Sequence, residues 1–368
     1  MYPAFKLERF FARHEFSARH LLCASDCESM PIGELLAMEP DATERFLKLR
    51  MGYTESTGHP ELRKTIAGIY KTVAAGDVLV FAGAQEAITL FLQGMLGPDD
   101  HAIVHWPCYQ SLYEVAAASA DAVDRWEADK ENEWKLDVKK LIQLIRPNTR
   151  VIVVNTPHNP TGYLMSHADW QSFHNVAAER GILVFCDEVY RESEYDPVDR
   201  LTAGCDMGDH AVSLGVMSKT YGLAGLRIGW VATKNREVMD RLRSMKDYTS
   251  ICSSAPSEFL AELGLRHRQH LIDRNLKVIG RNLELLDSFF QEFHDRFVWS
   301  RPRAGAIAFP KLVGQPIDEF CEEVLQETGV LLAPGSMFSD NGNHFRLGFG
   351  RANMAEGLEA LGEYVRSN

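Results

Sequence analysis

Apolar residues along the chain fall into two rhythms. Short blocks of four to seven apolar residues occur at 78–81, 102–105, 151–154, 182–186, 211–217 and 228–232. Such blocks, bounded by Gly, Pro or polar residues, read as strands buried on both faces. Between several of them the spacing shifts to the helical period. The stretch after Gly83 (AQEAITLFLQGML), the segment from Tyr109 to about 118, and 169–180 all read as helices. Strands alternating with helices predict a mostly parallel sheet covered by helices on both sides, a three-layer α/β unit.

The flanks follow a different pattern. Leu7, Phe10, Phe11 and His14 lie at helical spacing, 32–38 is a second short helix, and Pro60 opens a third. Residues 234–295 read as mostly helical, with one long helix over 256–292. Short strands at 298–300, 306–309, 330–332 and 344–348 then surround helices at 316–328 and 353–366, a smaller α+β unit. The expected division is residues 1–45 as an arm and part of the small domain, 46–270 as the large domain, and 271–368 as the C-terminal small domain. A chain of 368 residues is long enough for two domains.

Composition narrows the partners. The formal net charge of −12 argues against nucleic acid or an anionic membrane as the main partner. The seven cysteines are scattered, without a Cys-x-x-Cys pair, and point to a reducing, cytoplasmic setting. The first residues have no long apolar core of the signal-peptide kind, and no apolar run approaches the roughly 20 residues that span a bilayer.

Candidate chemistry sits where the strand blocks end. Ligands of open parallel sheets bind outside the carboxyl ends of the strands. Gly83-Ala84-Gln85, Tyr109, Asn159, Asp187 with Tyr190, and Lys219 all occupy such ends. Gly83 lets a backbone approach closely, and the amides of Ala84 and Gln85 open a helix, as a phosphate cradle requires. Arg227 can close that cradle as a charge-assisted fork. Asp187 suits a protonated ring nitrogen, Tyr190 and Asn159 a phenolate oxygen, and Tyr109 the face of a ring. Lys219, at a strand end on a Gly-rich segment, suits attack on an aldehyde carbon, because partial desolvation frees its amine. Together these groups describe a site for pyridoxal 5′-phosphate (PLP).

The motifs NPTG (159–162), Asp-Glu-Val-Tyr (187–190), SKTYGLAGLRIG (218–229) and FRLGFG (345–350) resemble the class I and II aminotransferases of PLP-dependent fold type I. The resemblance runs from about residue 52 to 350. It implies Lys219 as the Schiff-base lysine, Asp187 on the pyridine nitrogen, and Asn159 with Tyr190 on the ring hydroxyl. It places Arg227, Ala84, Gln85 and Ser218 around the phosphate, and Tyr109 on the ring. Tyr53 is implied to reach the phosphate of a partner subunit, so a homodimer with shared sites is expected. Arg346 matches the arginine that forks the substrate α-carboxylate. The implied activity moves an amino group between an L-amino acid and a 2-oxo acid.

Two departures stand out. Val216 replaces a hydroxyl residue three positions before the lysine, which leaves more of the phosphate to Arg227 and to the amides at 84–85. CASDCES (23–29) replaces the usual Gly-Glu-Pro segment and sets Ser25 where a backbone group touches the substrate carboxylate. The second departure keeps a β/γ-lyase or a cyclase as an alternative, since the segment resembles cyclising enzymes of the capreomycidine synthase kind. A PLP-binding sensor domain of a transcription regulator is disfavoured, because only about 45 residues precede the fold and the chain is acidic. No metal site is expected. His14, His158 and the pair His267/His270 read as solvated surface, with His158 lining the site as the other option. Cys23 and Cys27 read as core, and Trp106 as packing.

Overall fold

The computed structural model describes residues 2–368. Its centre is a seven-stranded sheet built from β1 (Val78–Phe81), β2 (His101–Trp106), β3 (Ala122–Glu127), β4 (Thr149–Asn155), β5 (Leu183–Asp187), β6 (Ala211–Val216) and β7 (Gly229–Ala232). The strand order is β1-β7-β6-β5-β4-β2-β3. The pairs from β3 through β6 are parallel, while β7 runs antiparallel to both β6 and β1. The start of β7 therefore lies beside the carboxyl ends of its two neighbours.

Alternate residues of each strand feed opposite faces, as the pleat demands. In β4, Val151 and Val153 pack with Phe91 and Phe185 on one side. Ile152 and Val154 pack with Trp170 and Phe173 on the other. Helices Ala84–Met95, Gln110–Ser119 and Arg236–Lys246 contribute to the first face, and helix His167–Glu179 to the second. Two-sided cover explains why these strands read as unbroken apolar blocks.

A further core gathers Phe289, Phe297, Phe320 and Phe345 of the C-terminal region, and Leu22 and Cys27 of the arm join it. The arm is sewn in by backbone bonds. His20–Leu21 pairs in parallel with Val330–Leu331, and the amide of Gly348 donates to Leu22 O at 2.7 Å.

Three details differ from the pattern reading. The long helix expected over 256–292 is two helices, Ala255–Arg266 and Arg268–Glu292, broken at His267. The break is held from a distance, because Glu39 accepts from Arg266 at 2.8 Å and meets the His267 ring at 3.0 Å. Strand β3 and helix Val138–Leu144 were not expected. His158, expected on solvated surface, is buried. Its ring bridges Thr161 Oγ1 at 2.6 Å and Pro107 O at 2.8 Å and stacks on His105 at 3.6 Å. It braces the 155–163 loop from behind. Burial drives its pKa down to about 3, so it stays neutral there.

Candidate active site

A cavity of about 420 Å³ opens at the carboxyl ends of β4, β5 and β6. Ala84, Gln85, Tyr109, Asn159, Asp187, Tyr190, Ser218, Lys219, Arg227 and Ser25 all line it.

At one end the backbone is shaped around close approaches. Gly83 has φ +86° at the start of helix Ala84–Met95. A β-carbon there would lie 2.6 Å from Nη2 of Arg227. A β-carbon on Gly229 would lie 2.8 Å from the Ala84 amide. Only glycine at both positions lets Arg227 sit over the first turn of that helix. Arg227 itself is left-handed, at φ 51°, and its Nη1 donates to Ala224 O at 3.2 Å. Unpaired first-turn amides beside a guanidinium form an anion cradle.

In the middle lie the two titratable groups. Asp187, 4% exposed, ends β5. Its Oδ1 accepts from the Val189 amide at 3.3 Å, and it has no ion pair among the described residues. Burial pushes its carboxyl up to about 7, with nearby Lys219 opposing the rise. Lys219 donates to Ser25 Oγ at 2.8 Å. Burial, helped by Arg346, lowers its pKa, which favours a free, nucleophilic amine.

The far end is built by the arm. Arg346, fully buried on strand Phe345–Gly348, donates through Nε and Nη2 to Cys23 O at 3.2 and 2.8 Å. Its Nη1 donates to Asn159 Oδ1 at 3.2 Å. The hydroxyl of Tyr190 donates to Ser25 O at 3.0 Å. Tyr109 donates to Glu8 Oε1 at 2.9 Å, with the Phe5 ring 5.0 Å from its own. Tyr53 lies outside this cavity, 93% exposed.

Two lining carboxylates carried no sequence signal, Glu8 and Glu15 of the arm; Phe11 and Asp26 also line the cavity, the first from the helical pattern 7–14 and the second from segment 23–29. Asn155 was in reach of the strand-end rule that picked its neighbours. It works on backbone: Nδ2 donates to Asp187 O at 2.9 Å and Oδ1 accepts from the Asn159 amide at 2.7 Å.

A glycine-built anion cradle, a buried carboxylate lacking a cation and a buried lysine define a PLP-binding enzyme of the fold type I architecture. The family model for aminotransferase class I and II matches residues 21–363. The chain belongs to the class I and II aminotransferase family. A PLP-dependent aminotransferase from Streptococcus suis 89-1591 superposes with a TM-score of 0.93 at 34% identity, covering 99% of this chain and 98% of that one. The PLP-dependent cyclase OrfR superposes at 0.90 with 29% identity, covering 100% and 98%. Capreomycidine synthase of Streptomyces vinaceus is 27% identical over 366 residues, 98% of this chain and 93% of that protein. The cofactor of the family is PLP, and the groups described above fit it.

Proposed function

We propose that the protein is a transaminase that moves an amino group from an L-amino acid to a 2-oxo acid. The observation that carries this reading is the buried Lys219 amine in one cavity with Asp187, a carboxylate without a cation partner. When bound, PLP supplies an aldehyde carbon for the amino group and a ring that accepts electrons from Cα.

The chain's own groups divide the remaining work. Lys219 would hold the aldehyde carbon of the cofactor, and its free amine would take and return the Cα proton. Asp187 keeps the ring nitrogen protonated. Asn159 and Tyr190 hold the ring oxygen, and Tyr109 covers the ring face. Arg227, Ser218 and the turn Gly83–Ala84–Gln85 hold the phosphate, joined by Tyr53 of a second copy in a homodimer. Arg346 forks the α-carboxylate next to Ser25, which orients the Cα–H bond.

A second reading, cyclisation or elimination on the same cofactor, is favoured by segment 23–29. That segment puts the Ser25 hydroxyl on the catalytic amine. The likeness to a cyclase and to capreomycidine synthase points the same way. The test is a panel of amino acids with PLP-loaded protein, with and without a 2-oxo acid. Transamination needs the acceptor and yields a new amino acid. Ammonia or a cyclised product formed without an acceptor would replace the first reading by the second. Lys219→Ala is expected to lose the visible absorbance of lysine-bound cofactor.

A further inference from the structure

We propose that the amino acid taken by this site carries a cationic side chain, a guanidinium or an ammonium, received by Glu15 with Glu8. The inference rests on the PLP-dependent reading above and adds the substrate class.

The arm brings three carboxylates to one wall of the catalytic cavity. Glu8 lies on helix Lys6–His14, Glu15 caps its end, and Asp26 follows the His20–Leu21 strand. The cations at or near the cavity are Lys219, Arg227, Arg346 and Arg351. Arg227 belongs to the anion cradle, Lys219 to the aldehyde carbon and Arg346 to the α-carboxylate. Arg351 is already forked on Asp26, through Nε at 3.2 Å and Nη2 at 3.0 Å. Glu8 receives only a neutral donor, the Tyr109 hydroxyl. The side chain of Glu15 has no hydrogen bond or ion pair among the described residues. Two carboxylates therefore face the cavity without a cation.

Partly closed space with surplus negative charge is costly until a cation enters. Burial, reinforced by Asp26 and Glu8, raises the Glu15 pKa against the pull of Arg351 and Lys219. The same wall carries Leu7 and Phe11, an apolar surface for the methylenes of a long side chain. That the cavity takes a ligand is marked independently by Asp187, which is buried and aimed into it without a countercharge. A second carboxylate on the substrate would meet like charge here, which disfavours dicarboxylic amino acids.

The test is an absorbance titration of the PLP-loaded protein with L-arginine, L-lysine, L-norleucine and L-glutamate. Arginine or lysine is expected to perturb the cofactor band at about tenfold lower concentration than norleucine, and glutamate to be weakest. The arginine-to-lysine ratio separates guanidinium from ammonium. Glu15→Gln is expected to lose about tenfold for the cationic amino acids and to leave norleucine within about twofold, with Glu15→Asp recovering part of the loss. Equal response to all four amino acids, or an equal loss for all in Glu15→Gln, overturns the inference alone. Absence of any spectral response overturns the PLP-dependent reading and the inference with it.

Discussion

At Asp187 the chemistry and the stability of one side chain pull in opposite directions. The unfolded chain ionises this carboxyl near 3.8, whereas burial in the fold raises it to about 7. Below pH 4 it is neutral in both states and costs nothing. As the pH rises from 4 to 7 the unfolded form gains from ionising while the folded form resists, so stability is lost across that window. The loss above pH 7 is about 4 kcal/mol, because each tenfold change in the ionisation equilibrium is worth about 1.4 kcal/mol. A bound protonated ring would remove that cost, which is the sense in which the site waits for its cofactor. Asp187→Asn is therefore expected to raise the melting temperature of the cofactor-free protein by several degrees at pH 8 and by less than half as much at pH 5. The same variant is expected to lower kcat about 100-fold or more in the loaded enzyme. Differential scanning calorimetry at the two pH values decides it. An equal change at both would mean that Asp187 is not held neutral by burial.

At the scale of elements, the cradle depends on a turn and a strand that almost touch. Gly83→Ala puts a side chain at φ +86° and 2.6 Å from Arg227 Nη2. Backbone strain of about 1–2 kcal/mol is expected, together with displacement of the guanidinium. PLP affinity, read by fluorescence titration, should fall about tenfold or more. An unchanged affinity would remove Arg227 and this turn from phosphate binding.

Elements such as β1, β4 and β5 were legible in the sequence because two-sided burial leaves an unbroken apolar block. Strand β3 was not, because it is an edge strand in which Asp124, Arg125 and Glu127 remain accessible and Trp126 alone is buried. The break at His267 was hidden for another reason. No Gly or Pro marks it, and Glu39 holds it from 228 positions away. The strand-end residues of the cavity were legible because each followed an apolar block. The carboxylates of the arm were not, since Glu8 meets Tyr109 across 101 positions and no local period reports such a contact.

At the scale of the molecule, a group of large exposed side chains lies on the segments that flank the cradle. Met51, Tyr53 and Tyr248 are 82%, 93% and 90% exposed, an unusual surface for three large side chains. They are held together by Thr54 Oγ1 donating to Ser253 O at 3.0 Å and by Lys246 Nζ on Ser56 O. The same turn reaches the cradle, because the Ser250 amide donates to Glu86 Oε1 at 3.2 Å in the first turn of helix Ala84–Met95. A second copy seated on this face would thus complete the phosphate end with its own Tyr53, and assembly and cofactor binding would be one equilibrium. Sedimentation of the loaded protein is expected to give a dimer at micromolar concentration. Met51→Glu with Tyr248→Asp, which set like charges against each other across a twofold contact, is expected to give monomers whose PLP affinity is lower by about tenfold or more. In the undivided dimer, Tyr53→Phe should lower PLP affinity by about ten- to a hundredfold, the worth of one hydrogen bond to a charged group. A monomer that binds PLP as tightly as the wild type would overturn the shared site and leave Gly83, Ala84, Gln85, Ser218 and Arg227 to hold the phosphate alone.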